Sequence, residues 1–127
     1  MFGNGLSSSP SNTAPPFDGP NFPIVTHYDN IEAQHRLITE VFGITELQLV
    51  LGFSMGAQQT YQWAAQYPSM VHRAFPFMGT VKCSHHNYVF LEGIKAALTA
   101  DADFNGGNYE SPPTRGLRAA GRVWAGW

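Results

Sequence analysis

The five residues Gly52-Phe53-Ser54-Met55-Gly56 constrain this chain more than any other stretch. An apolar run, Leu47-Gln48-Leu49-Val50-Leu51, leads into them, and a Gln-, Ala- and aromatic-rich run, closed by Pro68, leads away. Strand, sharp turn and helix in that order, with serine at the tip, make a nucleophile elbow. Small residues two before and two after the serine let the strand and helix backbones pass closely, so Gly52 and Gly56 are both expected for want of room. The seryl oxygen then projects from the C-terminal end of the strand, at the positive end of the helix, where a developing oxyanion is favoured. The Met55 backbone N–H is the expected oxyanion donor.

The surrounding pattern is α/β. Residues 29–43 read as a helix, with Asp29 as cap, Glu32 closing a capping box and Gly43 just past the end. Ile31, His35, Ile38 and Phe42 recur along it at helical spacing. Residues 46–51 read as a strand, apolar enough to be buried on both faces of a parallel sheet. Residues 55–67 read as a second helix and 71–77 as a second strand, in which Pro76 marks an end or an irregularity. Residues 87–100 read as a third helix, and the Gly- and Pro-rich tail turns helical over 117–124. Residues 1–23 are rich in turn punctuation, Ser7-Ser8-Ser9-Pro10, Pro15-Pro16 and Gly19-Pro20 among it. A loop that long is unusual inside a compact domain. Helix, strand, helix, strand is the order of α/β architecture.

Composition excludes several classes. Seven basic against nine acidic residues leave a net charge of −2, which makes no electrostatic case for nucleic acid or an anionic membrane. Charged residues are 13% of the chain, well under the usual share of about 25%, so much of the surface is suited to face other protein. Cys83 is the single cysteine, which rules out an intrachain disulfide framework and fits a reducing compartment. No basic-then-apolar leader opens the sequence and no apolar run approaches the ~20 residues of a membrane span. A cytoplasmic location is expected.

With the elbow, other residues fall into place as a resemblance. Phe22-Pro23-Ile24-Val25-Thr26-His27-Tyr28-Asp29 with Ala33-Gln34 is similar to the approach to the elbow in the homoserine O-acetyltransferase branch of the α/β-hydrolase superfamily. Ser54, Met55 and Gln59 match its elbow, Trp63-Ala64 and Tyr67-Pro68 its following helix, Ser84 and Asn87 its next segment, and Asn105-Gly106-Gly107 with Gly116-Leu117 the approach to its helical lid. Phe53 and Ala57 stand where that branch usually has glycine, and the lid arginine falls at Arg122, one residue further from Gly116-Leu117 than usual.

The resemblance implies a partial α/β-hydrolase fold, with an elbow-bearing core over 1–100 and the start of a helical lid over 101–127. It implies Ser54 as nucleophile and Arg122 as a substrate-binding residue. It implies small-molecule acyl donors and acceptors, acyl-CoA as a donor substrate rather than a cofactor, and a homodimer in full-length members. Related chains of this kind include hydrolases and acyltransferases of other acceptors. Transfer and hydrolysis both remain open.

The superfamily order is nucleophile, then acid, then histidine. After Ser54 the histidines are His72, His85 and His86, and none falls where the branch carries its base. Asp101 and Asp103 come early for the acid, and no strand in residues 1–28 supplies a second oxyanion donor. The expectation is an internal piece of a larger enzyme, marginally stable or prone to aggregate by itself, and a catalytically incomplete chain is the alternative to an active one. His85-His86 lacks a third ligand at metal-site spacing and reads as surface. Cys83 lacks a base or elbow around it and reads as an incidental thiol. Trp124 and Trp127 suit an acyl pocket or lid packing equally. Gly3-Asn4-Gly5 has neither a preceding strand nor a following lysine and is no phosphate loop.

Overall fold

The computed structural model of the chain describes residues 1–4 and 6–126; Gly5, of the stretch rejected above as a phosphate loop, and Trp127, suited above to an acyl pocket or lid packing, lie outside them. The chain divides into two compact units, Met1–Ser7 with Ile24–Lys82 and Ser8–Pro23 with Cys83–Trp127.

The first unit is a β–α–β crossover with one helix in front of it. Helix α1 spans His27–Arg36 and continues into a single π-helical turn, Leu37–Val41. Its cap is Thr26, three residues before the expected Asp29: the Thr26 side chain accepts from the Asp29 N–H, and the Asp29 carboxylate accepts from the Thr26 N–H at 2.8 Å. Asp29 therefore fills the place expected of Glu32. A threonine caps nearly as well as an aspartate, and only the extended Thr26 backbone decides between them. Gly43, at φ +66°, ends the segment as expected, and the Ile44 N–H returns to the Ile38 carbonyl at 2.9 Å.

Strand β1 (Val50–Phe53), helix α2 (Met55–Gln66) and strand β2 (Ala74–Phe77) follow. The strands pair in parallel, Val50 opposite Ala74 and Phe53 opposite Phe77, with a lone bridge upstream between Leu47 and Val71. Pairing thus starts at the head of the apolar run, lapses, and resumes at Val50 to run two residues past it, to Phe53. Pro76, opposite Gly52, is tolerated because β2 has β1 as its single partner among the described residues. Ile31, Trp63 and Met70 form the core, with Ile38, Leu47, Val50, Tyr67 and Val71 packed around them. The Trp63 indole N–H donates to Gln34 Oε1 at 3.1 Å, which satisfies the one polar atom of a buried ring. Burial of β1 on both faces is not observed. Gly52 is buried, whereas Leu51 and Phe53 are each 60% exposed, because α2 covers one face of this sheet only.

The second unit is a helical pair. Helix α3 spans His85–Thr99, two residues ahead of the expected start, because Ser84 caps it by accepting from the Asn87 N–H at 3.2 Å. A 3₁₀ segment, Ala102–Gly107, leads on to helix α4, Thr114–Ala125. Gly116 lies where a Cβ would stand 2.5 Å from the Leu98 carbonyl oxygen, so α3 and α4 approach at backbone distance there. The Asp101 carboxylate accepts from the Gly116 N–H at 2.7 Å, and that bond above all holds its pKa below the ordinary range. Part of the N-terminal loop joins this unit, Ser11 Oγ lying 3.0 Å from the Tyr109 hydroxyl. No helix among the described residues is long and apolar enough to cross a membrane.

Candidate active site

Ser54 has φ 54° and ψ −117°, in the turn between β1 and α2. Positive φ in a residue with a Cβ costs of order 1–3 kcal/mol and persists only where the surroundings hold it. Here both of its backbone groups are engaged. The Ser54 N–H donates to the Phe77 carbonyl at 3.1 Å, and the Ser54 carbonyl accepts from the Ala57 N–H at 2.9 Å and the Gln58 N–H at 3.4 Å. The Ser54 side chain makes no capping bond to α2, and the residue is exposed. Hydroxyl and helix terminus are thus both presented outward at the C-terminal end of the sheet.

The two glycines of the motif have different roles. A Cβ on Gly52 would stand 2.0 Å from the Gly56 carbonyl oxygen and 2.6 Å from Thr60 Oγ1. At Gly56 a Cβ meets nothing within 4 Å, so the expectation that Gly56 too is there for want of room is corrected. What Gly56 contributes to the close approach is its carbonyl, which also accepts from the Thr60 hydroxyl at 2.9 Å. A third glycine, Gly79, was not singled out by the motif: a Cβ there would lie 2.5 Å from the Ser54 carbonyl oxygen and 2.6 Å from the Ala57 Cβ. Nothing in the linear pattern marks it, because the crowding comes from a chain segment 25 residues away.

Met55 opens α2, and its N–H belongs to the first-turn amides that have no acceptor within the helix. The histidines of this unit are occupied elsewhere. His27 Nε2 lies 3.2 Å from Gln58 Oε1, His35 stacks on the Tyr67 ring at 3.9 Å, and His72 Nε2 lies 3.3 Å from Glu46 Oε2. Tyr67, which also donates to Glu32, has its pKa raised first by burial and then by that bond. His85 and His86 open α3 in the second unit. Arg122 and Trp124 are exposed on α4, the Trp124 ring 6.0 Å from that of Phe90. Cys83 is exposed, its Sγ 3.2 Å from Asn87 Nδ2. No three His, Cys, Asp or Glu side chains among the described residues gather into a metal site.

An outward serine at a strained strand-to-helix turn, over an unused helix-terminal amide, suits attack on an acyl carbon. No protein-family model matches the chain. It is 47% identical over its whole length to an ethyl acetate hydrolase of Pseudomonas veronii, 38% of which it covers. It is 42% identical, over 97% of its length, to a homoserine O-acetyltransferase of Solidesulfovibrio magneticus, 31% of which it covers. A solved acetylester hydrolase from Corynebacterium glutamicum superposes with a TM-score of 0.91 at 46% identity, over 98% of this chain and 36% of that one. The chain thus spans about a third of the length of the relatives it matches. The fold is that of part of an α/β-hydrolase, and the chain is similar in sequence to these esterases and homoserine O-acyltransferases.

Proposed function

We propose that Ser54 is the acyl-accepting nucleophile of an ester hydrolase that acts on short acyl esters. The observation that carries this reading is the Ser54 backbone at φ 54°, which turns the hydroxyl out of the strand beside the first amides of α2. The higher identity to an ester hydrolase, 47% against 42% for the homoserine acetyltransferase, favours water over an amino-alcohol as final acceptor. In the first step Ser54 Oγ bonds to the ester carbonyl carbon, its proton passes to a base, and the oxyanion is held by the Met55 N–H. The C–O bond to the alcohol breaks and the alcohol leaves protonated. Water then adds to the acyl-enzyme and releases the acid, so ester and water give acid and alcohol. This chemistry requires no cofactor.

Among the described residues no histidine is hydrogen-bonded to Ser54, their partners being Gln58, Tyr67 and Glu46 in the first unit, so the reading requires a base brought to Ser54 from elsewhere. Arg122 as a binder of the substrate's polar end belongs to the acyltransferase version of the reading, for which the 42% match to a homoserine O-acetyltransferase speaks. There an acyl group from acyl-CoA passes to an alcohol instead of water.

A chimera tests the proposal. In it, residues 1–127 replace the aligned segment of the Pseudomonas veronii ethyl acetate hydrolase, which supplies the rest of that enzyme. Hydrolysis of ethyl acetate that is lost on Ser54→Ala is the expected result. A folded chimera whose hydrolysis survives Ser54→Ala would sink it.

A further inference from the structure

The Ser54 carbonyl and the Met55 N–H are two ends of one planar peptide unit, so neither turns without the other. Gly79 meets that unit from the side. It follows β2 by two residues, after Met78, which itself adopts φ +57° and is 77% exposed. The left-handed turn at Met78 brings Gly79 back over the elbow. A Cβ at Gly79 would stand 2.5 Å from the Ser54 carbonyl oxygen and 3.4 Å from its carbonyl carbon. Real Cβ atoms essentially never approach below 3.0 Å, and the atom in the way is backbone, held by two helix-starting hydrogen bonds from Ala57 and Gln58. Relief comes from turning the peptide.

We infer that Gly79 is a positioning residue: its missing side chain sets the orientation of the Ser54–Met55 peptide and so aims the Met55 N–H. The function of that aim rests on the reading of Ser54 as nucleophile, but the geometric claim does not. Phe77 and Gly79 together grip the elbow from the neighbouring strand. The Phe77 carbonyl holds the Ser54 N–H at 3.1 Å, and Gly79 admits the Ser54 carbonyl. Any side chain at residue 79 rotates the peptide while leaving Ser54, Met55 and their neighbours chemically unchanged.

The test uses the 127-residue chain in dilute solution, with amide spectra and hydrogen exchange of the unmodified protein, Gly79→Ala, Gly79→Ala with Ala57→Gly, and Gly93→Ala. Gly93 is the control, since a Cβ there meets nothing within 4 Å. Gly79→Ala is expected to move the Met55, Ala57 and Gln58 amide resonances. It should also lower the protection of the Ser54 amide about tenfold or more relative to the Val50 amide, which bonds the Arg73 carbonyl in the same sheet. Adding Ala57→Gly leaves these changes in place, and Gly93→Ala produces none. Equal loss of protection at Ser54 and Val50 overturns the proposal, because that is general destabilisation. Recovery on adding Ala57→Gly also overturns it, because the crowding is then with the Ala57 methyl and the role is packing. Should Gly79→Ala not fold, the double variant with Ala57→Gly decides: recovery of the native spectrum overturns the proposal, because the crowding is then with the Ala57 methyl, and a chain that stays unfolded supports crowding with the Ser54 peptide. In the chimera, Gly79→Ala should slow fluorophosphonate labelling of Ser54 about tenfold or more, below the roughly 100- to 1,000-fold that loss of a whole oxyanion donor costs. An unlabelled parent chimera would count against Ser54 as nucleophile and leave the amide results to judge Gly79.

Discussion

The Ser54 N–H donates to the Phe77 carbonyl at 3.1 Å, which extends the β1–β2 ladder one step beyond the Phe53–Phe77 pair and fastens the tip of the turn to the neighbouring strand. A serine at φ 54° is held there by a sheet on one side and a helix start on the other. That double hold is what lets a strained residue stay in place without spending its hydroxyl on its own fold.

The motif's two glycines should respond differently to alanine. At Gly52 the added methyl collides with the Gly56 carbonyl at 2.0 Å, and the expected cost is about 3 kcal/mol, at the upper end for overpacking. At Gly56 the methyl meets nothing within 4 Å, and exchange of glycine for alanine inside a helix is expected to be neutral or to stabilise by up to about 1 kcal/mol. Urea denaturation of the two variants, compared at constant m-value, checks both signs.

Much of this region is legible in the sequence, and the reason is local. Gly52, Ser54 and a proline-closed helix are demands of backbone geometry, and backbone demands leave fixed residue types at fixed spacing. The start of α1 is ambiguous in the sequence because Thr26 and Asp29 both cap helices, and the extended backbone at Thr26 decides. The exposure of Leu51 and Phe53 was not readable from an apolar run, since the run records hydrophobicity and not what covers it. Gly79 was invisible for the same kind of reason: its neighbours, Ser54 and Ala57, are distant in sequence. Residues 8–23 are loop apart from one 3₁₀ turn, Gly19–Asn21, as their punctuation indicates, and they belong to the compact unit that holds α3 and α4.

The box at Thr26 sets a pH dependence. Its hydroxyl first, and its N–H second, hold the Asp29 pKa below the ordinary value of 3.8. A depressed folded-state pKa gives stability that is present above the ordinary value and is lost as pH falls through the depressed one. Thr26→Ala is expected to cost about 1 kcal/mol near neutral pH, the usual price of a lost cap. The Asp29 pKa should rise in that variant, though not fully, because the N–H bond remains. Carboxyl NMR titration of Asp29 and denaturation down to about pH 3 read the two effects, and the gap between parent and variant should narrow below about pH 4.

In the helical pair, Gly116→Ala should break the contact between α3 and α4. Its methyl would lie 2.5 Å from the Leu98 carbonyl oxygen and 2.9 Å from the Asp101 Cβ, and a loss of about 2–3 kcal/mol is expected. Gly121→Ala, on the same helix with nothing within 4 Å, is the comparison and should cost nothing. Hydrogen exchange across α3 and α4 distinguishes them.

The uncovered sheet face should make the chain associate. Leu51, Phe53 and Phe75 are 60%, 60% and 59% exposed, and the register sets Leu51 beside Phe75 and Phe53 beside Phe77 on that face. Contiguous exposed apolar surface of this kind drives association. Sedimentation velocity over a concentration series should show association that weakens in a Leu51→Thr, Phe75→Thr double variant. A concentration-independent monomer for the parent would contradict the expectation.

The most direct measurement of the central claim is the site of fluorophosphonate labelling in the chimera that carries this chain within the ethyl acetate hydrolase. Peptide mass spectrometry should place one phosphonate per molecule on Ser54, and Ser54→Ala should remove it. A phosphonate on any other residue, or none on a chimera that folds, would contradict the assignment of Ser54 as the nucleophile.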